Sequence, residues 1–218
     1  MNEQATATKC GFVAIVGATN AGKSTLVNQA VGTKISIVTH KVQTTRSRVL
    51  GVMIEDNAQI VLVDTPGIFD PRRRLDRAMI QAAWQGAADA DVVALIVDAK
   101  RGATEDVLGI IEKLADIKAP KLLVLNKIDL LERSRLLDLT AKLNASGIFQ
   151  ETLMVSALNG DGVRDLISQF TRHMPDSPWL FPEDQLTDMP NRLLAAEITR
   201  EKAFLRLHQE LPYSLTVE

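Results

Sequence analysis

The eight residues Gly17 to Ser24, GATNAGKS, constrain this chain more than any other stretch. They follow an apolar run, Phe12 to Val16, and lead into a segment of helical spacing, so a strand must turn here into a helix. Glycines at that turn let successive backbone N–H groups point inward, and the helix start adds the positive end of its dipole. Together these make a cradle for phosphates. Lys23 can bridge the β and γ groups, and the Ser24 hydroxyl can ligate Mg²⁺. The nucleotide-binding set therefore begins with Gly17, Ala18, Thr19, Asn20, Ala21, Gly22, Lys23, Ser24 and Thr25.

Further short apolar runs stand at Ile60 to Val63, Val92 to Val97, Leu122 to Leu125 and Leu153 to Val155, with stretches of helical spacing between them. Runs this continuous suit strands buried on both faces of a parallel sheet. The string VLGVMIEDNAQIVLVD reads as two strands joined by a turn at Glu55, Asp56 and Asn57, which adds one antiparallel hairpin. The expectation is an α/β fold of the P-loop NTPase type over residues 1–174, with a mostly parallel six-stranded sheet and helices on both faces.

The pattern changes after His173. MPDSPWLFPEDQLTDMP alternates prolines with acidic and apolar residues, as an ordered linker over residues 175–190 would. A helix is predicted from Asn191, with Asn191 or Thr187 as cap and Leu194, Ile198, Ala203 and Leu205 on one side. PYSLTV then reads as a strand. One helix and one strand cannot bury a core of their own, so residues 191–218 are expected to open a second domain, and the helix's apolar side to lack a partner.

Lys and Arg number 25 against 27 Asp and Glu, a net charge of −2, so no global basic field points to a nucleic-acid partner and any such partner must be read locally. The single cysteine, Cys10, excludes an internal disulfide framework and suits a reducing cytosol; its place is the edge of a strand. The N-terminus lacks the cationic region of a signal peptide, and no segment approaches the ~18 apolar residues that span a bilayer. A cytoplasmic protein is expected. His40, His173 and His208 share no ligand spacing with one another or with Cys10, so no zinc site is expected. Met79, Ile80 and Trp84 read as the core face of a helix.

Three more motifs carry chemistry. In VDTPGIFD, Asp64 ends the third strand beside the phosphate loop, where an acid can hold Mg²⁺, and the Gly67 N–H can meet the γ-phosphate. In LVLNKIDL, Asp129 can accept both guanine donors, N1–H and the N2 amine, whereas the unprotonated N1 of adenine would meet a carboxylate with repulsion. The base is therefore guanine. Asn126 can tie the base to the loops, and the stem of Lys127 can cover the ring. In VSAL, the Ala157 N–H can reach the guanine O6, with Ser156 bracing the loop and Leu158 beside it. The residue after Gly67 is Ile68, a hydrocarbon that neither orients water nor moves a proton, so it is expected to pack away.

GATNAGKSTLVNQAVGTKISIVTHKVQTTRSRVLGV, VDTPGIFD, NKID, VSAL, FPEDQLTD and AAEITREK…ELPYSLTVE resemble the translation-factor branch of the GTPases. Within it, they are similar to a family of bacterial ribosome-assembly GTPases over nearly the whole chain. Members carry a GTPase domain followed by a KH domain that binds the 3′ end of small-subunit ribosomal RNA. The resemblance implies that residues 191–218 are the first helix and strand of an incomplete α+β KH domain without its G-x-x-G loop. Such a chain is expected to bind nucleotide while lacking specific affinity for the RNA. It also implies a first switch from Lys34 to Arg48, with Thr45, or alternatively Thr44, as a Mg²⁺ ligand beside Ser24 and Asp64. A second switch, including RRRLDR, would run from Gly67 to about Met79. In place of the missing glutamine it implies a K⁺ ion held by Asn20, although Thr19 stands where the family commonly has proline. Lys23, Thr45, Gly67 and Asn20 would form the catalytic set, with intrinsic turnover on the order of 10⁻⁴ to 10⁻² s⁻¹. The implied partners are GTP and GDP, small-subunit ribosomal RNA and the 30S-type subunit, with a peripheral contact on the inner face of the cell membrane as a further expectation and no DNA.

Overall fold

In the computed structural model, which describes residues 7–39, 48–68, 74–206 and 217, the apolar runs are the strands of one sheet. They are β1 (Lys9–Val16), β2 (Val49–Glu55), β3 (Ala58–Asp64), β4 (Val92–Asp98), β5 (Lys121–Asn126) and β6 (Glu151–Val155), in the order β2-β3-β1-β4-β5-β6. Only β2 runs antiparallel, paired with β3 through the expected hairpin. Asp56 carries its turn at φ +54°, a left-handed conformation that Asp tolerates better than most residues. The middle stretches of β1, β3, β4 and β5 are mainly apolar because both of their faces are buried. Val13 and Ile15 of β1 enter the core under α1 (Lys23–Val31) and α5 (Val163–His173), while Ala14 and Val16 enter the core under α2 (Arg74–Ala88), α3 (Glu105–Leu114) and α4 (Arg133–Asn144). Met79 is buried in α2, and Trp84 is half-buried with the Lys113 ammonium 5.6 Å from its ring centroid.

Over β1, β2 and β3 the second face is closed by the linker. Trp179 and Phe181 pack on Cys10, Leu50, Val61 and Val63. Gln59 is fully buried and organises this contact: its Oε1 accepts from the N–H groups of Leu180 at 2.8 Å and Phe181 at 2.9 Å, and its Nε2 donates to the Phe181 carbonyl at 2.8 Å. Further bonds join Cys10 N to the Pro175 carbonyl, Ser177 N to the Thr8 carbonyl, Val52 N to the Leu186 carbonyl, and Leu50 N to Asp188. These bonds hold residues 175–188 against the sheet. Cys10 is buried, which pushes its thiol pKa up, in keeping with a packing role.

The last described helix, α6 (Asn191–Arg206), begins where the sequence places it but turns a different side inward. Arg200, Glu201 and Phe204 are buried, and Leu205 is 53% exposed. The inward side thus combines an apolar ring with two charged residues. Glu201 pairs with Lys34 and accepts from the Val38 N–H at 2.9 Å, so the helix leans on the segment after α1 instead of lacking a partner. Burial alone would raise the Glu201 pKa, but these two contacts outweigh it and hold the group below its ordinary range. All of PYSLTV but Val217, where a strand is expected, lies outside the described residues.

Candidate nucleotide-binding site

The parallel strands β1, β3, β4, β5 and β6 end at one edge of the sheet, and the motifs stand on the loops that leave it. This is where ligands bind in open α/β sheets. A cleft of about 530 Å³ lies there.

One side of the cleft is the phosphate loop. Ala21 N donates to the Ala18 carbonyl at 3.4 Å, closing a turn whose second central residue, Asn20, has φ +61°. Thr19 is not among the positive-φ residues, so the turn is of type II, with Asn20 where a positive φ is required. Arg101, in the loop after β4, donates to the Thr19 carbonyl at 3.2 Å. Two glycines are dictated by close approach. A Cβ on Gly17 would meet the Ile96 carbonyl oxygen at 2.3 Å, and one on Gly22, at φ +95°, would meet Asn126 Nδ2 at 2.2 Å. Gly22 N-caps α1, so the first N–H groups of that helix face the cleft. Thr19, Asn20, Lys23, Ser24 and Thr25 line it, while Gly17, Ala18 and Ala21 form the loop's inner wall.

Lys23 is buried, its ammonium donating to the carbonyls of Gly17 and Ala18, each at 3.0 Å. Burial lowers its pKa to about 8, with Asp64 opposing the shift. Phosphate charge restores the lysine's affinity for its proton, so the nucleotide complex holds more protons than the free protein above pH ~8. The affinity for GDP should therefore fall as pH rises. Calorimetry is expected to give roughly fourfold weaker binding at about pH 8.5 than at about pH 7, with uptake of most of one proton. An affinity that stays level, with no proton uptake, contradicts this role.

Asp64 ends β3 and is fully buried. Its Oδ2 accepts from the hydroxyls of Ser24 and Ser36, each at 2.7 Å, while Oδ1 is buried with no hydrogen-bond partner among the described residues. Burial raises its pKa, against the two hydroxyls and Lys23. A buried carboxylate oxygen left unpartnered beside a serine hydroxyl is a donor set for a hard divalent cation. Gly67 lines the cleft, and Ile68 bridges to Ala18 and joins the core, packed away as expected. Thr44 and Thr45 lie outside the described residues, as do Arg72 and Arg73 of RRRLDR, whose last four residues open α2.

The far side of the cleft carries the motifs expected to read the base. Asn126 is buried at the end of β5 and makes three bonds. Its Nδ2 donates to the Ala21 carbonyl at 2.8 Å, and its Oδ1 accepts from Lys127 N at 2.8 Å and Ala157 N at 3.0 Å. One side chain thus knots the phosphate loop to both base loops. Lys127 takes φ +64° and anchors its ammonium to the Asn20 carbonyl at 2.7 Å and to Asp98 at 2.6 Å, which lays its stem along the cleft. Ser156 donates to Asp129 Oδ1 at 2.6 Å and fixes the carboxylate's plane. Leu158, 77% exposed, stands on the rim. His173 does not reach this site; its ring nitrogens contact the Gln169 carbonyl and Gln150 at the end of α5.

Sequence reading missed Ser36, Asp98, Arg101 and Glu201. None has a motif of its own, and only Asp98 carried a signal, being an acid at the end of a buried strand.

A family model described as "50S ribosome-binding GTPase" matches residues 12–127. GTPase Era of Brucella melitensis biotype 1 is 59% identical over 215 residues, which cover 99% of this chain and 69% of the relative. Among solved structures, Era in complex with MgGDPNP and nucleotides 1506–1542 of 16S ribosomal RNA superposes with a TM-score of 0.90 at 40% identity, over 95% of this chain and 70% of that one. Aquifex aeolicus Era bound to GDP and AlF4⁻ gives a TM-score of 0.89 at 40% identity, over 95% of this chain and 71% of that one.

Proposed function

The chain belongs to the Era family of GTPases, and on that premise we infer that it is a switch protein of small-subunit assembly that binds GTP and hydrolyses it to GDP and phosphate. The observation that carries the guanine specificity is Asp129, which lines the cleft with its carboxylate held by Ser156, on a loop that Asn126 ties to the phosphate loop. In Mg²⁺ the protein should release phosphate from GTP and none from ATP; equal rates with the two would overturn the assignment.

The residues divide the work. Lys23 and the loop N–H groups bind the phosphates, and Asp129 orients the guanine; the Ala157 N–H expected at the guanine O6 is taken by Asn126 Oδ1 in this structure. Ser24 and Asp64 would hold Mg²⁺, which neutralises charge developing on the transferred phosphoryl group. Gly67, which lines the cleft, would offer its N–H to the γ-phosphate. The Ile68 side chain takes no part in activating water.

We propose that positive charge at the outer side of the γ-phosphate comes from K⁺ held at Asn20. The type II turn supports this, because it fixes Asn20 at the mouth of the phosphate loop. Hydrolysis is then expected to run faster in K⁺ than in Na⁺, and Asn20→Ala to abolish the difference while GDP affinity changes little. Equal wild-type rates in the two salts would remove K⁺ from the reaction.

We also carry the family's RNA partner to this protein, with residues 1–174 as the GTPase domain, 175–190 as linker and 191–218 as part of the RNA-binding module. The start of α6 directly after the linker supports that division. Cytoplasmic location and a peripheral membrane contact are proposed on the resemblance alone. No described helix is long and apolar enough to cross a membrane.

A further inference from the structure

We propose that Ser36 is a positioning residue for the Mg²⁺ aspartate, and that helix α6 holds Ser36 in place through Glu201. The inference rests on the reading of Asp64 as a Mg²⁺ site. It starts from the asymmetry of that carboxylate, in which both hydroxyl donors sit on Oδ2 and none of the described residues bonds Oδ1. A carboxylate on a strand end can rotate about its last bond, and two donors on one oxygen select the rotamer that turns the other toward the metal. Ser24 belongs to the phosphate loop and has the metal to serve as well. Ser36 is buried and does not line the cleft, so its hydroxyl acts on nucleotide chemistry only through Asp64.

Ser36 is itself held from two directions. From α1, Asn28 Oδ1 accepts from Ile35 N at 3.0 Å and Ser36 N at 2.9 Å, and Asn28 Nδ2 donates to the Ser36 carbonyl at 2.7 Å. From the outside, Glu201 brackets the same short segment by pairing with Lys34 on one side of Ser36 and accepting from Val38 N on the other. Ile35 and Ile37 are buried and keep the segment against the core. With Glu201 buried against these two partners, α6 rests on the segment that carries Ser36. The connection therefore runs from Glu201 through the backbone of the segment from Lys34 to Val38 to Ser36 and Asp64, and it ends on the carboxylate proposed for the metal. Outer contacts of this kind orient the ligands a metal binds directly, and losing one typically weakens metal binding by 10- to 100-fold.

The test is a Mg²⁺ titration of the full chain loaded with fluorescent GDP, reading nucleotide release. Ser36→Ala should raise the half-saturating Mg²⁺ about tenfold, and Ser36→Thr, which keeps the hydroxyl, should restore most of it. Glu201→Ala should raise it severalfold, and the double variant should be no worse than Ser36→Ala alone, because Glu201 acts through Ser36. Asp64→Asn is the control for the underlying reading. If it leaves the midpoint unchanged, Asp64 is not the metal's aspartate and the proposal falls with that assignment. If Asp64→Asn shifts the midpoint and Ser36→Ala does not, Ser36 is only a packing residue; its loss would then lower the melting temperature in EDTA and nothing else. Unchanged Mg²⁺ dependence in Glu201→Ala, or full additivity with Ser36→Ala, would remove α6 from the chain of contacts.

Discussion

Asp129→Asn is expected to weaken GDP and GTP binding roughly a thousandfold and to create binding of xanthine nucleotides, with little change in folding. The variant keeps the bond from Ser156, because an amide oxygen accepts from that hydroxyl as the carboxylate does at 2.6 Å. What changes is the edge offered to the base. An amide N–H₂ then faces the N1–H and N2 amine of guanine, donor against donor, where each hydrogen bond to the charged group was worth about 1.5–3 kcal/mol. Xanthine carries a carbonyl at position 2, which the amide can satisfy. Calorimetric titration of the variant with GDP and XDP measures both effects, and unchanged GDP affinity would remove Asp129 from base recognition.

Asn126→Ala is expected to cost more widely. Its side chain is the common partner of the Ala21 carbonyl, Lys127 N and Ala157 N, and truncation strands polar groups in a site that is almost fully buried. Each stranded group costs about 1–3 kcal/mol. GDP affinity should fall by two to three orders of magnitude, and the melting temperature of the nucleotide-free protein should drop by several degrees as well. Loss of affinity with no loss of thermal stability would mean that Asn126 meets the ligand but does not hold the loops.

The contrast between these two residues and those that escaped notice shows what a sequence makes legible. The phosphate loop, the Asp56 turn and the stretches around Asn126 and Ala157 are short strings in which backbone geometry or ligand chemistry demands particular residue types. Each can be read from its immediate neighbours. Ser36, Gln59, Asp98 and Glu201 are ordinary polar residues until their partners are known, and those partners lie 28, 121, 29 and 163 positions away. The inward side of α6 fails for the same reason. Local spacing suggests an apolar stripe through Leu194, Ile198, Ala203 and Leu205, yet Phe204 and Glu201, the latter with partners in the segment after α1, are the residues inside, and Leu205 is left in solvent.

The stitched linker has a thermodynamic consequence for α6. A free chain of the length of residues 175–190 would let the helix beyond it wander over roughly 20–25 Å, and a lone carboxylate meeting a half-exposed lysine would seldom repay the search. With Gln59, the β2 edge and Asp188 holding the linker to the sheet, that wandering is given up once, when the protein folds. Docking of α6 is then a local event at high effective concentration, and the weak bond between Glu201 and Lys34 suffices to decide where the helix rests.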